Sequence, residues 1–124
     1  MIGYVTLGTN DIEKARAFYD ELLGELGAKR VSDSSHLTIW GTSQKAAVLG
    51  LIKPFNKEPA TTANGSMIAL PMPSKELVTQ MHAKALSLGG TDEGAPGPRG
   101  NRGAEFAYCR DLEGHKLAFF YHQN

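Results

Sequence analysis

One cysteine, Cys109, is all the thiol chemistry the 124 residues contain. No intrachain disulfide can form, so packing alone must hold the fold, and the reducing cytoplasm is the expected compartment. Neither sign of charge is in excess. Thirteen Lys and Arg against 13 Asp and Glu leave a formal net charge of zero, with no overall field to draw in nucleic acid or an anionic membrane. No apolar run approaches the ~20 residues of a membrane span, and Met1 leads into a strand rather than a basic stretch followed by an apolar one. Neither nucleic acid nor membrane is an expected partner. The length is that of one domain, in which roughly two thirds of the unfolded surface is buried.

What the chain has instead is a repeat. Residues 3–27, GYVTLGTNDIEKARAFYDELLGELG, set out a strand, a turn and a helix, and 63 residues later 66–90, SMIALPMPSKELVTQMHAKALSLGG, follow the same plan. Ala15, Phe18, Tyr19, Leu22, Leu23 and Leu26 fall on one face of the first helix, and Val78, Met81, His82, Ala85 and Leu86 on one face of the second. Asn10 with Glu13 is the expected cap of the first helix and Ser74 that of the second. Gly27 and Gly90 match in offset just past the helix ends, where a left-handed residue costs least.

Between the copies, 28–32, 36–40 and 46–52 read as strands, with a turn at Asp33-Ser34-Ser35 and a flexible stretch over 41–45. Residues 54–64 have neither helical nor strand period and form the linker. After the second helix, 91–102, with its GAPGPRGNRG run, reads as a short strand entering a long mobile loop. Residues 105–110 and 115–122 are strands around the tight turn Asp111-Leu112-Glu113-Gly114. Each copy is therefore strand-helix-strand-strand-strand: module one over about 1–53, the linker over about 54–64 and module two over about 65–124, all within one domain.

Two such copies, with YVTLGTNDIEKARAFYDELL at the start, ALSLGGTDEGAPGPR in the middle and FAYCRDLEGHKL near the end, resemble the vicinal oxygen chelate superfamily of glyoxalases, bleomycin-resistance proteins and extradiol dioxygenases. The resemblance implies an α+β, glyoxalase-like fold, in which two βαβββ modules form an open eight-stranded cup, commonly in a homodimer. It also implies four metal-ligand positions, on the first and last strand of each module. These fall on Tyr4, Gly50, Met67 and Ala118, none of which suits a hard or borderline ion. The inherited metal site is therefore expected to be missing, and no cofactor is expected.

If the superfamily register holds, alternation turns Tyr4, Thr6, Val48, Gly50, Ile52, Met67, Ala69, Glu105, Ala107, Cys109, Lys116, Ala118, Phe120 and His122 toward the cavity. The parity of the third strand stays open, so Thr38 and Trp40 face either the cavity or a helix. Tyr4, Thr6, Trp40, Met67, Glu105, Cys109, Ala118 and Phe120 are the expected ligand contacts, a mostly apolar lining with a few polar tips.

Each polar residue also has a plain reading. Tyr4 is a hydrogen-bond donor to a ligand or a plug for the space a metal would take. Glu105, the one carboxylate this parity turns inward, is the candidate general base or a solvated glutamate at the loop mouth. Cys109 is a nucleophile only with a base beside it, and otherwise a small buried hydrophobe. Arg99 and Arg102 can clamp an anionic group, or be solvated like most loop arginines.

The expected function is metal-independent binding of a small organic molecule, aromatic or antibiotic-like. One alternative is a lyase or isomerase, akin to the superfamily's enzymes, acting through Glu105 or Tyr4 without metal or with a metal relocated to His36, Glu105, Cys109 and His122. Another is a dimeric interaction protein with a filled cavity.

Overall fold

The computed structural model describes residues 1–101 and 103–123. Contacts between Cα atoms divide the chain into two compact units, Met1–Thr62 and Ala63–Asn124. The first unit contains β1 (Tyr4–Gly8), α1 (Ile12–Gly24), β2 (Lys29–Asp33), β3 (Leu37–Gly41) and β4 (Val48–Ile52). The second contains β5 (Met67–Pro71), α2 (Lys75–Ser87), β6 (Thr91–Arg99), β7 (Ala104–Arg110) and β8 (Lys116–His122). Both units are βαβββ. Their sheets have equivalent orders, β1-β4-β3-β2 and β5-β8-β7-β6. In each, the first strand pairs in parallel with the last, and the other pairs are antiparallel. This is the glyoxalase-like α+β fold.

Register decides which side chains share a face, because residues paired across neighbouring strands point the same way. In the first unit Val5 and Leu7 pair with Leu49 and Leu51, which pair in turn with Trp40 and Thr38. Leu49, Leu51, Thr38 and Trp40 are buried, as are Ala15, Phe18, Tyr19, Leu22 and Leu23 of α1. Tyr19 touches Trp40 with ring centroids 5.7 Å apart. In the second unit the matching layer is Ala107, Cys109, Leu117 and Phe119 beneath Val78, Met81 and Ala85, all fully buried.

Several local expectations are corrected. Asp11, not Asn10, caps α1, its carboxylate accepting from the Lys14 amide at 3.2 Å. Asn10 is occupied elsewhere: its side-chain amide donates to the Ala60 carbonyl at 3.1 Å and accepts from the Ala60 amide at 2.8 Å, tying down the segment after β4. Ser74 caps α2 as expected. Gly27 is left-handed, but in the second copy Gly89 takes that role. Gly90 serves close approach, since a Cβ there would lie 2.8 Å from both the Ala85 and Arg110 carbonyl oxygens.

The mobile loop expected after 91 is instead β6, nine residues long and broken by register shifts at Asp92/Gly94 and Gly94/Gly97. It is the edge strand of its sheet. Edges and bulges are where a sheet admits glycine and proline, so Pro96 and Pro98 do not interrupt it. Arg102 lies outside the described residues.

Candidate functional site

Opposite its helix, each sheet has a second face. In the first unit it carries Tyr4 and Thr6 from β1, Leu37 and Ile39 from β3, and Val48, Gly50 and Ile52 from β4. Tyr4 is 62% exposed. At Gly50 an added Cβ would lie 3.2 Å from Thr6 Cγ2 and 3.4 Å from the Val5 carbonyl oxygen. The strands crowd that point without any side chain there.

The matching face of the second unit carries Met67, Ala69 and Pro71 from β5, Lys116, Ala118 and Phe120 from β8, and Phe106 and Tyr108 from β7. Three rings stand in a row: Phe106 lies 5.3 Å from Phe120 and 5.8 Å from Tyr108, with interplanar angles of 15° and 10°. Lys116 Nζ is 5.1 Å from the Tyr108 ring centroid, and the Arg99 guanidinium carbon 5.7 Å from it.

The predicted set divides accordingly. Tyr4, Thr6 and Gly50 share the open face of the first sheet; Met67, Ala118 and Phe120 share that of the second. Trp40 is not on an open face. It points into the helix layer, where its Nε1 donates to Asp20 at 2.9 Å. Asp20 also accepts from Arg30 at 3.0 and 2.8 Å, and these bonds hold its carboxyl below the ordinary range, with Arg30 the larger influence and Trp40 contributing. Thr38 is likewise under α1, accepting from Arg16 Nε at 2.7 Å and donating to Asp33 at 2.8 Å.

Glu105 and Cys109 are corrected by a single step of register. Cys109 pairs with Leu117 and Glu105 with Tyr121, which places both on the helix side of β7, while Phe106 and Tyr108 take the open side. The cause is legible in the packing: α2 lies directly on β7, and small Ala107 and Cys109 let it approach. Cys109 is fully buried, and burial, reinforced by the charges of Asp111 and Asp92, pushes its thiol up to about 12. Among the described residues the groups that act on it, Asp111 and Asp92, raise the thiol further, as suits a small buried hydrophobe. The alternative metal set fails within the second unit, because Glu105 and Cys109 lie on one face of the sheet and His122 on the other.

His36 is exposed, and the other two histidines are structural. His82 Nε2 lies 2.9 Å from Asp92 Oδ1, joining α2 to β6, and His115 is buried at the turn, its amide donating to Asp111. Two shallow clefts, one bounded by Thr9, Asn10, Lys53, Pro54, Lys57, Glu58 and Pro59 and one by Pro73, Ser74, Lys75, Glu76, Tyr121 and Gln123, contain none of the predicted contacts.

The family model of the glyoxalase/bleomycin resistance protein/dioxygenase superfamily matches residues 1–119. The chain belongs to that superfamily. Among solved structures, a glyoxalase/bleomycin resistance protein from Albidiferax ferrireducens T118 is 33% identical, with 99% of each chain covered and a TM-score of 0.90. The fold is shared with a lactoylglutathione lyase from Agrobacterium tumefaciens, at 21% identity, 98% and 92% coverage and a TM-score of 0.72. It is shared too with the fosfomycin resistance protein FosX from Listeria monocytogenes, complexed with Mn(II) and sulfate, at 16% identity, 99% and 90% coverage and a TM-score of 0.74. No curated protein matches the chain.

Superfamily membership raises the question of a divalent ion, and the donor chemistry does not fit one. Gly50 and Ala118 carry no donor atom, the Met67 thioether is a soft ligand, and the Tyr4 phenol is a rare one. Among the described residues no three His, Cys, Asp or Glu side chains gather as a metal-holding group. Nor is any helix among them long and apolar enough to cross a membrane.

Proposed function

We propose that this chain binds a small, largely apolar organic molecule and does so without a metal ion. The observation that carries the reading is the pair Gly50 and Ala118. At both positions where the superfamily resemblance calls for a terminal-strand carboxylate there is no donor, and at Gly50 the neighbouring strand leaves little room for one. Binding then rests on apolar area and a few polar anchors: the open face of the first sheet has Ile39 and Ile52 with Tyr4 and Thr6, and that of the second has Phe106 and Phe120 with Tyr108.

In this reading the two modules, about 1–53 and 65–124, serve one domain. The exposed apolar side chains of Ile2 and Val31 support a homodimer, and the single buried cysteine is in keeping with the cytoplasm.

The test is to incubate the purified protein with nickel, zinc, manganese and iron salts, remove free ion by gel filtration and measure bound metal by mass spectrometry. Metal far below one ion per chain is expected, with thermal stabilisation by organic ligands in the same metal-free sample. Stoichiometric retention of any of the four overturns the reading.

A further inference from the structure

The ring row of the second sheet has two unlike ends. At one end Phe120 stacks on Phe106; at the other, Tyr108 has Arg99 and Lys116 against it. The cationic end is built into the backbone. Tyr108 lies over Gly94, where a Cβ would come within 2.8 Å of its Cδ2, so the ring needs glycine beneath it. Arg99 is held in place by donating to the Ala95 carbonyl at 2.8 Å and the Pro98 carbonyl at 3.2 Å.

Among the described residues neither Arg99 nor Lys116 forms an ion pair. Glu93 on the neighbouring edge strand is already engaged by Arg110, and Asp92 by His82. Ala118 stands directly across from Tyr108 and two residues from Lys116 on the same face. A carboxylate at 118 would neutralise this end of the row; alanine leaves it positive.

We propose that the ligand of the second sheet is a planar aromatic carboxylate, its ring against Phe106 and Phe120 and its anionic group at the cationic end of the row beside Tyr108. This rests on the metal-free binding reading and adds the charge and class of the ligand. A neutral aromatic molecule covering the same face would take two cations out of water with nothing to pair them, which is costly. A carboxylate gains charge-assisted hydrogen bonds instead. Two cations are few for a nucleic-acid backbone, which draws on many more.

Titration calorimetry with 2-naphthoate, 2-naphthamide and cyclohexanecarboxylate tests the proposal on the full chain. Naphthoate is expected to bind at least about 10-fold more tightly than either comparator, the scale of a hydrogen bond to a charged group. Lys116→Gln and Arg99→Gln should each bring naphthoate to within a few-fold of naphthamide and leave naphthamide unchanged, which also shows that the variants are folded. Ala118→Glu should do the same by supplying the missing counter-charge internally.

Equal affinity for naphthoate and naphthamide overturns the proposal, as does unchanged naphthoate affinity in Lys116→Gln, or no binding of naphthoate at millimolar concentration. Each of these leaves metal-free binding of some other molecule standing. Stoichiometric metal retention removes that broader reading itself.

Discussion

Ellman's reagent added to the native protein at pH 8 should leave Cys109 almost untouched, and two separable effects set how slowly it reacts. The first is ionisation. A thiol raised to about 12 is ionised to about one part in 10,000 at that pH, against about one part in four for an unperturbed thiol near 8.5. The more basic thiolate is intrinsically more nucleophilic, which returns a factor of about 40, so ionisation alone slows the reaction roughly 50-fold. The second effect is access. Cys109 is 0% exposed, on a strand paired on both sides and covered by α2. Reagent reaches it only when that layer opens, and opening a core strand approaches the cost of global unfolding. Even about 5 kcal/mol corresponds to several thousand-fold.

Burial therefore outweighs ionisation. Labelling should be at least about 1,000-fold slower in buffer than in 6 M guanidinium, and its rate should rise with denaturant along the global unfolding transition. Native labelling within about 10-fold of the unfolded rate would refute the placement of Cys109 on the helix side and restore it as a candidate nucleophile.

Gly90→Ala should destabilise by about 2–3 kcal/mol, or roughly 8–12 °C in Tm, because the methyl would meet two backbone carbonyls that cannot step aside. Gly24→Ala, with nothing within 4 Å of the added atom, should instead leave stability unchanged or raise it by up to about 1 kcal/mol; calorimetry on both variants checks the pair. Asp20 is held deprotonated by Arg30 and Trp40, so its contribution is complete above the ordinary carboxylate pKa near 3.9 and is lost as pH falls through its depressed folded value. With its side chain 42% exposed the effect is at most about 1 kcal/mol, read as a shallower acid limb for Asp20→Asn in urea midpoints taken at successive pH values. Asn10→Ala should speed tryptic cleavage after Lys57 several-fold while shifting global stability by no more than about 1–2 kcal/mol, since it frees only the segment that the side chain ties to Ala60.

The repeated strand-helix-strand-strand-strand plan was readable because each helix declares itself by spacing and each module restates the other. Ser74 was readable as a cap for the same local reason. What failed was decided at a distance. Asn10 is a sound cap by composition, but Ala60, fifty residues on, claims its side chain and leaves the role to Asp11. In β7 both faces are apolar, Phe106 and Tyr108 on one and Ala107 and Cys109 on the other, so alternation cannot say which is inward and a slip of one residue exchanges them. Side-chain size held the clue: the face under a helix has to be thin. For Trp40 the parity was open, and the signal that decides it, an indole N–H needing a partner, is met by Asp20 on α1. The glycine and proline run at 94–103 reads as a loop by content, yet most of it is an edge strand, where missing donors and bulges carry little penalty.

That edge strand bears on how the protein behaves at high concentration. An uncovered strand border is a template on which a foreign strand can grow, the route by which β-rich proteins polymerise. Along β6 the ladder would have to cross two register breaks and two residues with no amide hydrogen, Pro96 and Pro98. On that border the second sheet therefore resists strand recruitment.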